Sequence, residues 1–281
     1  MSDTATLRAP TIFPEAVYWT VAGTMVVAFV LTLVVAMVDS RTINGIESVW
    51  AKPLKFELSL AVHAATLALV ISSLSAPIRS STFMNTVALA FLAACVVEMG
   101  YIITQAARAE ASHFNVSSPF HSFMWSVMAV AAIVIIGAAG TIGAALAYDN
   151  EAYLSPALRW AIVIGLIGGT LLTLYTAFTI GARMSPYVGT TPHDESARMA
   201  MTGWSLVAGD LRVSHFFATH MIQLLPLIGL ISARFAPERF GITVVVISAF
   251  FWTILTLSEY NRALSGKPSP FAVSTLSSRH F

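Results

Sequence analysis

GDLRVSHFFATHMIQLLPLIG, residues 209–229, opens as a charged loop and closes as an apolar run long enough to enter a membrane. Between its two ends stand His215 and His220. Imidazoles that enter hydrocarbon are costly unless they face the bundle interior and find partners, so they mark a functional position by default. The two are five residues apart, about 140° around a helix at 100° per residue. That spacing is not the i, i+4 pair of a single-helix zinc clamp. Either each faces a different neighbour or Pro226 distorts the helix enough to bring them together.

The rest of the chain has the same character. Of 281 residues, 57% are hydrophobic and 10% charged, against about 25% charged in soluble domains. With apolar runs of about 20 residues, this predicts an all-α polytopic membrane protein. The net charge of +1 gives no basic patch for nucleic acid. A single cysteine, Cys95, leaves neither an intrachain disulfide nor a CxxC motif. No Gly-rich phosphate loop occurs. The opening MSDTATLRAPTIFPE lacks the apolar core of a cleaved signal, so the first span is expected to act as the targeting element.

Seven spans are expected, at about residues 16–38, 55–74, 83–106, 119–147, 156–182, 213–233 and 241–257. With no repeat and no linker, they form one domain covering 1–281. Arg8, Arg79, Arg159, Arg234 and Arg239 fall on the N-terminal side, and the other ten Lys and Arg on the opposite side. The positive-inside rule then puts the N-terminus outside and the C-terminus in the cytoplasm of a bacterial-type inner (plasma) membrane. The connector at 183–212 is long, and within it TPHDESARMAMTGWSL reads as a short interfacial helix. Thr191 would cap it, Pro192 would fill its first turn, and Asp194 and Glu195 would suit its dipole.

Depth organises the polar residues. His63, Glu98 and His220 lie eight residues in from Lys55, Ala106 and Arg212, at the loop-side ends of their spans, about 12 Å at 1.5 Å per residue. Glu57, His121 and His215 form a shallower layer, with Gln105 at its level and Gln223 below His220. Tyr101, Trp125 and Ser59 are the expected flanking residues. The opposite half of the spans is nearly free of such groups.

Each layer supplies two imidazoles and a carboxylate, a donor set that suits non-haem iron and catalytic zinc. Glu and His from several helices also build dinuclear carboxylate sites. The sequence therefore predicts a metal centre, non-haem iron in mononuclear or dinuclear form, with His63, Glu98, His215, His220, Glu57 and His121 as ligands. The corresponding activity is an oxidoreductase acting on membrane lipid, a quinone or another lipid-soluble substrate. The plain alternative for each histidine is a hydrogen bond that holds the bundle together.

Three other classes compete. A b-type haem would take His63 and His220 as axial ligands, with GAAGTIGAA and GLIGG supplying small residues. Such residues also serve close helix packing, and they leave a homo-oligomer open. The S-x-x-x-H pattern of Ser59 and His63 resembles the seven-span zinc hydrolases that include alkaline ceramidases and adiponectin-receptor-like proteins. There, an early Ser and His join an Asp and a later H-x-x-x-H. Here the later pair is H-x-x-x-x-H and the third span offers Glu98, so the chain is not assigned to that superfamily. What the resemblance implies is zinc-bound water attacking a lipid amide or ester, with a Glu as base. A proton-coupled transporter would also use intramembrane Glu and His, but the inverted repeat common in carriers is absent.

Overall fold

The structure, a computed structural model, describes residues 12–43 and 47–272. Arg8, Arg279 and His280 lie outside the described residues. Among the described residues seven helices are long and apolar enough to cross a membrane: α1 (Phe13–Val38), α2 (Ala51–Ile71), α4 (Thr82–Ala107), α5 (Pro119–Tyr148), α6 (Pro156–Arg183), α7 (Leu211–Phe235) and α8 (Glu238–Leu264). A single-turn helix α3 (Ala76–Arg79) lies between α2 and α4. The expected all-helical bundle is therefore present.

Short-range signals set the starts of several helices. Ser81, Ser118 and Ser155 each accept a hydrogen bond from the N–H three residues on, at the heads of α4, α5 and α6. Such side chains satisfy donors that the first turn leaves free. Pro119 and Pro156 open α5 and α6, where a missing N–H costs nothing. Helix α2 begins at Ala51, four residues before the expected Lys55, because Pro53 falls in its first turn rather than ahead of it. Its N-terminal neighbour Trp50 gives no side-chain cap.

The helices pack in sequence around α2, which also touches α4, α5 and α7. The closest seam joins α6 to α7. A Cβ on Gly169 would stand 2.6 Å from Ile222 Cγ1, and one on Gly165 would stand 2.9 Å from Pro226 Cδ. Gly143 of α5 likewise faces Leu166 of α6. Gly140, Gly143, Gly165 and Gly169, among the small residues considered for a haem slot, lie at such helix contacts, where they let backbones approach closely. The main apolar cluster runs from Val17 and Tyr18 through Phe91 and Ile142 to Ile222, with smaller clusters such as that of Met221, Leu225 and Ala249 beside it.

The connector between α6 and α7 departs from the expected interfacial helix. Only Glu195–Ala197 forms a 3-10 turn, begun by Asp194, whose side chain accepts from the Ala197 N–H. The chain then reverses. The Met199 N–H donates to the Trp204 carbonyl, the Gly203 N–H to the Met199 carbonyl, and the Leu206 N–H back to the Ala197 carbonyl. The reversal needs Gly203 in the left-handed region at φ +70, which a side chain would oppose. It turns Trp204 inward against Val213 and Phe217. Two short strands, β3 (Tyr187–Val188) and β4 (Gly209–Asp210), close the base of the connector. On the same face β1 (Thr42–Ile43) pairs with β2 (Glu47–Ser48) between α1 and α2.

Candidate functional site at the loop-side mouth

A cavity of about 260 Å³ opens on the face that carries the α1–α2, α4–α5 and α6–α7 loops. Glu47 reaches it from β2, Lys52 from the first turn of α2, and Ile102 and Ala106 from the end of α4. Glu110 and His113 come from the α4–α5 loop, and Arg198 from the connector.

Ion pairs hold the rim. Glu47 accepts from Lys55 at 2.8 Å and from Arg198 at 3.0 Å, joining the α1–α2 loop to the connector. Lys55 also donates to the Thr202 carbonyl at 3.1 Å. Burial alone would raise the Glu47 pKa, but Lys55 and Arg198 outweigh it and hold this carboxyl below its usual range. Behind the rim, Arg212 clasps the fully buried Asp210 and donates to the Gly203 carbonyl and the Tyr187 hydroxyl. Glu110 takes bonds from Arg108, Gln105 and His121.

One cation in the wall is left over. Among the described residues Lys52 makes no ion pair and no hydrogen bond, and its ammonium stands 5.7 Å from the Phe56 ring centre. His113 packs edge-on to Phe56 and Trp125 at 5.7 and 5.5 Å, with Ser112 Oγ 3.2 Å from its Nδ1. Burial, with Lys52 next in effect, holds this imidazole well below its ordinary pKa, so it is neutral at pH 7.

Beneath the cavity lies Glu98. It shares the α4 face of Ile102 and Ala106 and stands one turn deeper than Ile102. Its residue is 1% exposed, and among the described residues neither carboxyl oxygen has a hydrogen-bond partner. The cation within electrostatic reach of it is Lys52. Further in, both ring nitrogens of His63 also lack partners. Its ring stacks 6.0 Å from Phe91, which Tyr18 meets from the other helix at 4.8 Å. The Tyr18 and Tyr101 hydroxyls are buried without partners as well. So many unmet polar groups along one part of a bundle call for an explanation.

The expected layers are only partly assembled. His63 lies twelve residues from the start of α2 and Glu98 nine from the end of α4, which makes His63 about 4.5 Å deeper by helical rise. His220 lies within electrostatic reach of both His63 and His215, and its ring packs 4.2 Å from Phe216. His215 meets Thr176 of α6 at 3.0 Å. The other half of the shallow layer is dispersed. Glu57 accepts from Thr32 of α1 at 2.7 Å, and His121 is held by Ser118 at 2.8 Å and by Glu110 at 3.3 Å. Ser59 is exposed on the outside of α2 and does not join His63. Trp125 walls His113 rather than His121. Gln105 binds Glu110, while Gln223 Oε1 is buried without a partner. No group of three His, Cys, Asp or Glu among the described residues is disposed to hold a metal ion.

Lys52, Glu47, Glu110, His113 and Arg198 were not among the expected site residues. Lys52 and Arg198 carry a signal only as positive charge on the loop face, and His113 reads as an ordinary loop residue. Fold and cavity together define a seven-helix, membrane-type bundle with a charged loop-side vestibule above an unpaired carboxyl. No protein-family model, curated protein or solved structure matches the chain.

Proposed function

We propose that this is a multi-pass inner-membrane protein that couples proton transfer to a polar solute entering the vestibule from the cytoplasm. The observation that carries the reading is the solitary Glu98 carboxyl, buried without partners one turn below the cavity wall. A carboxyl in such surroundings keeps its proton or gains a cationic partner. A solute that arrives beside Lys52 alters that balance and prompts Glu98 to take up or release a proton. In this reading His63 is the next acceptor inward, and the Tyr18 hydroxyl on the far side of Phe91 passes a proton on by releasing its own as it receives one. The excess of Lys and Arg on the vestibule face supports a cytoplasmic orientation for it. The test is proton flux in proteoliposomes containing a trapped pH dye, with valinomycin to set the potential and inorganic phosphate or succinate supplied outside as the solute. Wild type is expected to acidify the lumen, Glu98→Gln to abolish the flux, and His63→Ala to reduce it. A wild-type protein as tight as empty liposomes overturns the reading.

A second reading keeps the metal. It is favoured by the two free nitrogens of His63 and the two free oxygens of Glu98, donors of the kind that suit non-haem iron or zinc. The activity would then be oxidation or reduction of a lipid-soluble substrate such as a quinone, or hydrolysis of a lipid amide or ester with zinc. Metal analysis with an optical spectrum of purified protein decides it. A Soret band moves the assignment to haem, and absence of stoichiometric metal removes this reading.

A further inference from the structure

We infer that the vestibule is a binding site for a small free oxyanion, a carboxylate or phosphate, seated on the Lys52 ammonium and the first turn of α2. This names the solute of the proton-linked reading and rests on that reading only for what binding accomplishes.

Charge is the first argument. The carboxylates at the rim are already matched: Glu47 holds Lys55 and Arg198, Glu110 holds Arg108, and Asp210 holds Arg212. Lys52 is the wall cation left without a counter-ion among the described residues. A half-buried cation beside the Phe56 ring favours an anionic partner.

The helix itself is the second argument. The cavity touches Ser48, Val49, Lys52 and Pro53, so the head of α2 faces it, and Trp50 supplies no side-chain cap there. The Trp50 N–H is taken by Ser48 Oγ and Pro53 has none, so the Ala51 and Lys52 N–H groups, with the positive end of the helix dipole, are what favour an anion at this position. A third contact is available from His113, which also lines the cavity. In the tautomer that accepts from Ser112, its Nε2 carries the hydrogen and serves as a donor.

Size and cover complete the case. At about 260 Å³ the space lies below the roughly 300–1,000 Å³ of drug-sized sites. It therefore suits a small acid or inorganic phosphate rather than a cofactor. The roof is the connector hairpin, pinned through Arg198 to Glu47 and through Thr202 to Lys55. Below, the unpaired Glu98 lies within reach of Lys52.

The experiment is a titration of purified protein in lipid-free detergent with inorganic phosphate and, separately, succinate. Ionic strength is held constant with choline chloride, and tryptophan fluorescence is followed because Trp50 adjoins Lys52 and Trp125 packs on His113. We expect a saturable change with at least one probe, unaltered in Lys52→Arg and weakened about tenfold or more in Lys52→Gln, the scale of a lost charge-assisted bond. His113→Gln is expected to weaken it several-fold, and it carries the test if Lys52→Gln does not fold. No saturable change with either probe overturns the inference, as does undiminished binding in both neutral variants. A Lys52-dependent response confined to short-chain phosphatidic acid assigns the site to a lipid headgroup and also overturns it. Because no gradient is present, binding without flux in liposomes would sink the proton-linked reading alone.

Discussion

Asp210 and Arg212 form a two-point clasp, with Arg212 Nε and Nη2 at 2.9 and 2.6 Å from the two carboxyl oxygens of a side chain that has no exposure. The same aspartate accepts from the Arg212 and Ser205 backbone N–H groups. It therefore caps α7 and fixes the connector at one point. Asp210→Ala leaves Arg212 and two N–H groups without their acceptor. Loss of a buried pair member costs about 3 kcal/mol, so the thermal midpoint in detergent should fall and cleavage within residues 184–208 should accelerate. Unchanged protease sensitivity would show that the clasp does not anchor the connector.

His113 predicts a pH dependence of stability. Its folded pKa lies well below the ordinary 6.5, through burial first and Lys52 second. The unfolded chain then binds the proton more readily than the folded one. The contribution is complete above about pH 6.5 and is lost progressively as pH falls toward the depressed folded value. Glu47, whose folded pKa is also lowered, adds a separate loss below its ordinary 4.5. Thermal midpoints of wild type and His113→Gln should converge on acidification from about pH 7 to 5. Parallel midpoints across that range would contradict the burial described for this ring.

The seven helices were legible because apolar runs of that length have few other uses, and the serines and prolines at their starts mark where the chain turns in. The site was legible in depth but not in direction. A membrane helix is apolar on its lipid side and its packed side alike, so no stripe distinguishes inward from outward. Ser59 and His63 read as one face, yet the first is exposed and the second buried. His121 read as a shallow ligand, but its partners are Ser118 and Glu110, one from its own helix cap and one from the preceding loop. Lys52 escaped notice for a related reason. A lysine at a helix start ordinarily reaches water, and only the folded loops around it make a vestibule. The connector was misjudged because Asp194 does begin a turn, while Gly203 and the burial of Trp204 decide where the chain goes next.

The α6–α7 seam gives a clean comparison between two glycines. Gly169→Ala places a methyl 2.6 Å from Ile222 Cγ1 and 3.1 Å from the Ile222 nitrogen, where relief requires the helices to part. Overpacking of this kind costs about 1–3 kcal/mol. A Cβ on Gly100 of α4 meets nothing within 4 Å, and Gly100→Ala should be neutral or stabilise by up to about 1 kcal/mol through helix propensity. Thermal unfolding of the two variants in one detergent should therefore shift in opposite directions, or in one direction only for Gly169→Ala. Equal losses would show that the seam is not closely packed.

Two buried glutamates allow the proton-linked reading to be tested against mere burial. Glu57 is fully buried like Glu98, but its Oε1 accepts from Thr32 at 2.7 Å and ties α1 to α2. Glu98 has no such bond. Glu57→Gln keeps an oxygen that can accept from Thr32, so it should retain both the fold and the flux. Thr32→Val strips Glu57 of its donor and should cost about 1–3 kcal/mol of stability while flux per folded molecule stays unchanged. Glu98→Gln should do the reverse, abolishing flux with little effect on the thermal midpoint, because no hydrogen bond is lost. Were Glu57→Gln to stop the flux and Glu98→Gln to spare it, the proton would travel beside α1, and the vestibule above Glu98 would have no part in moving it.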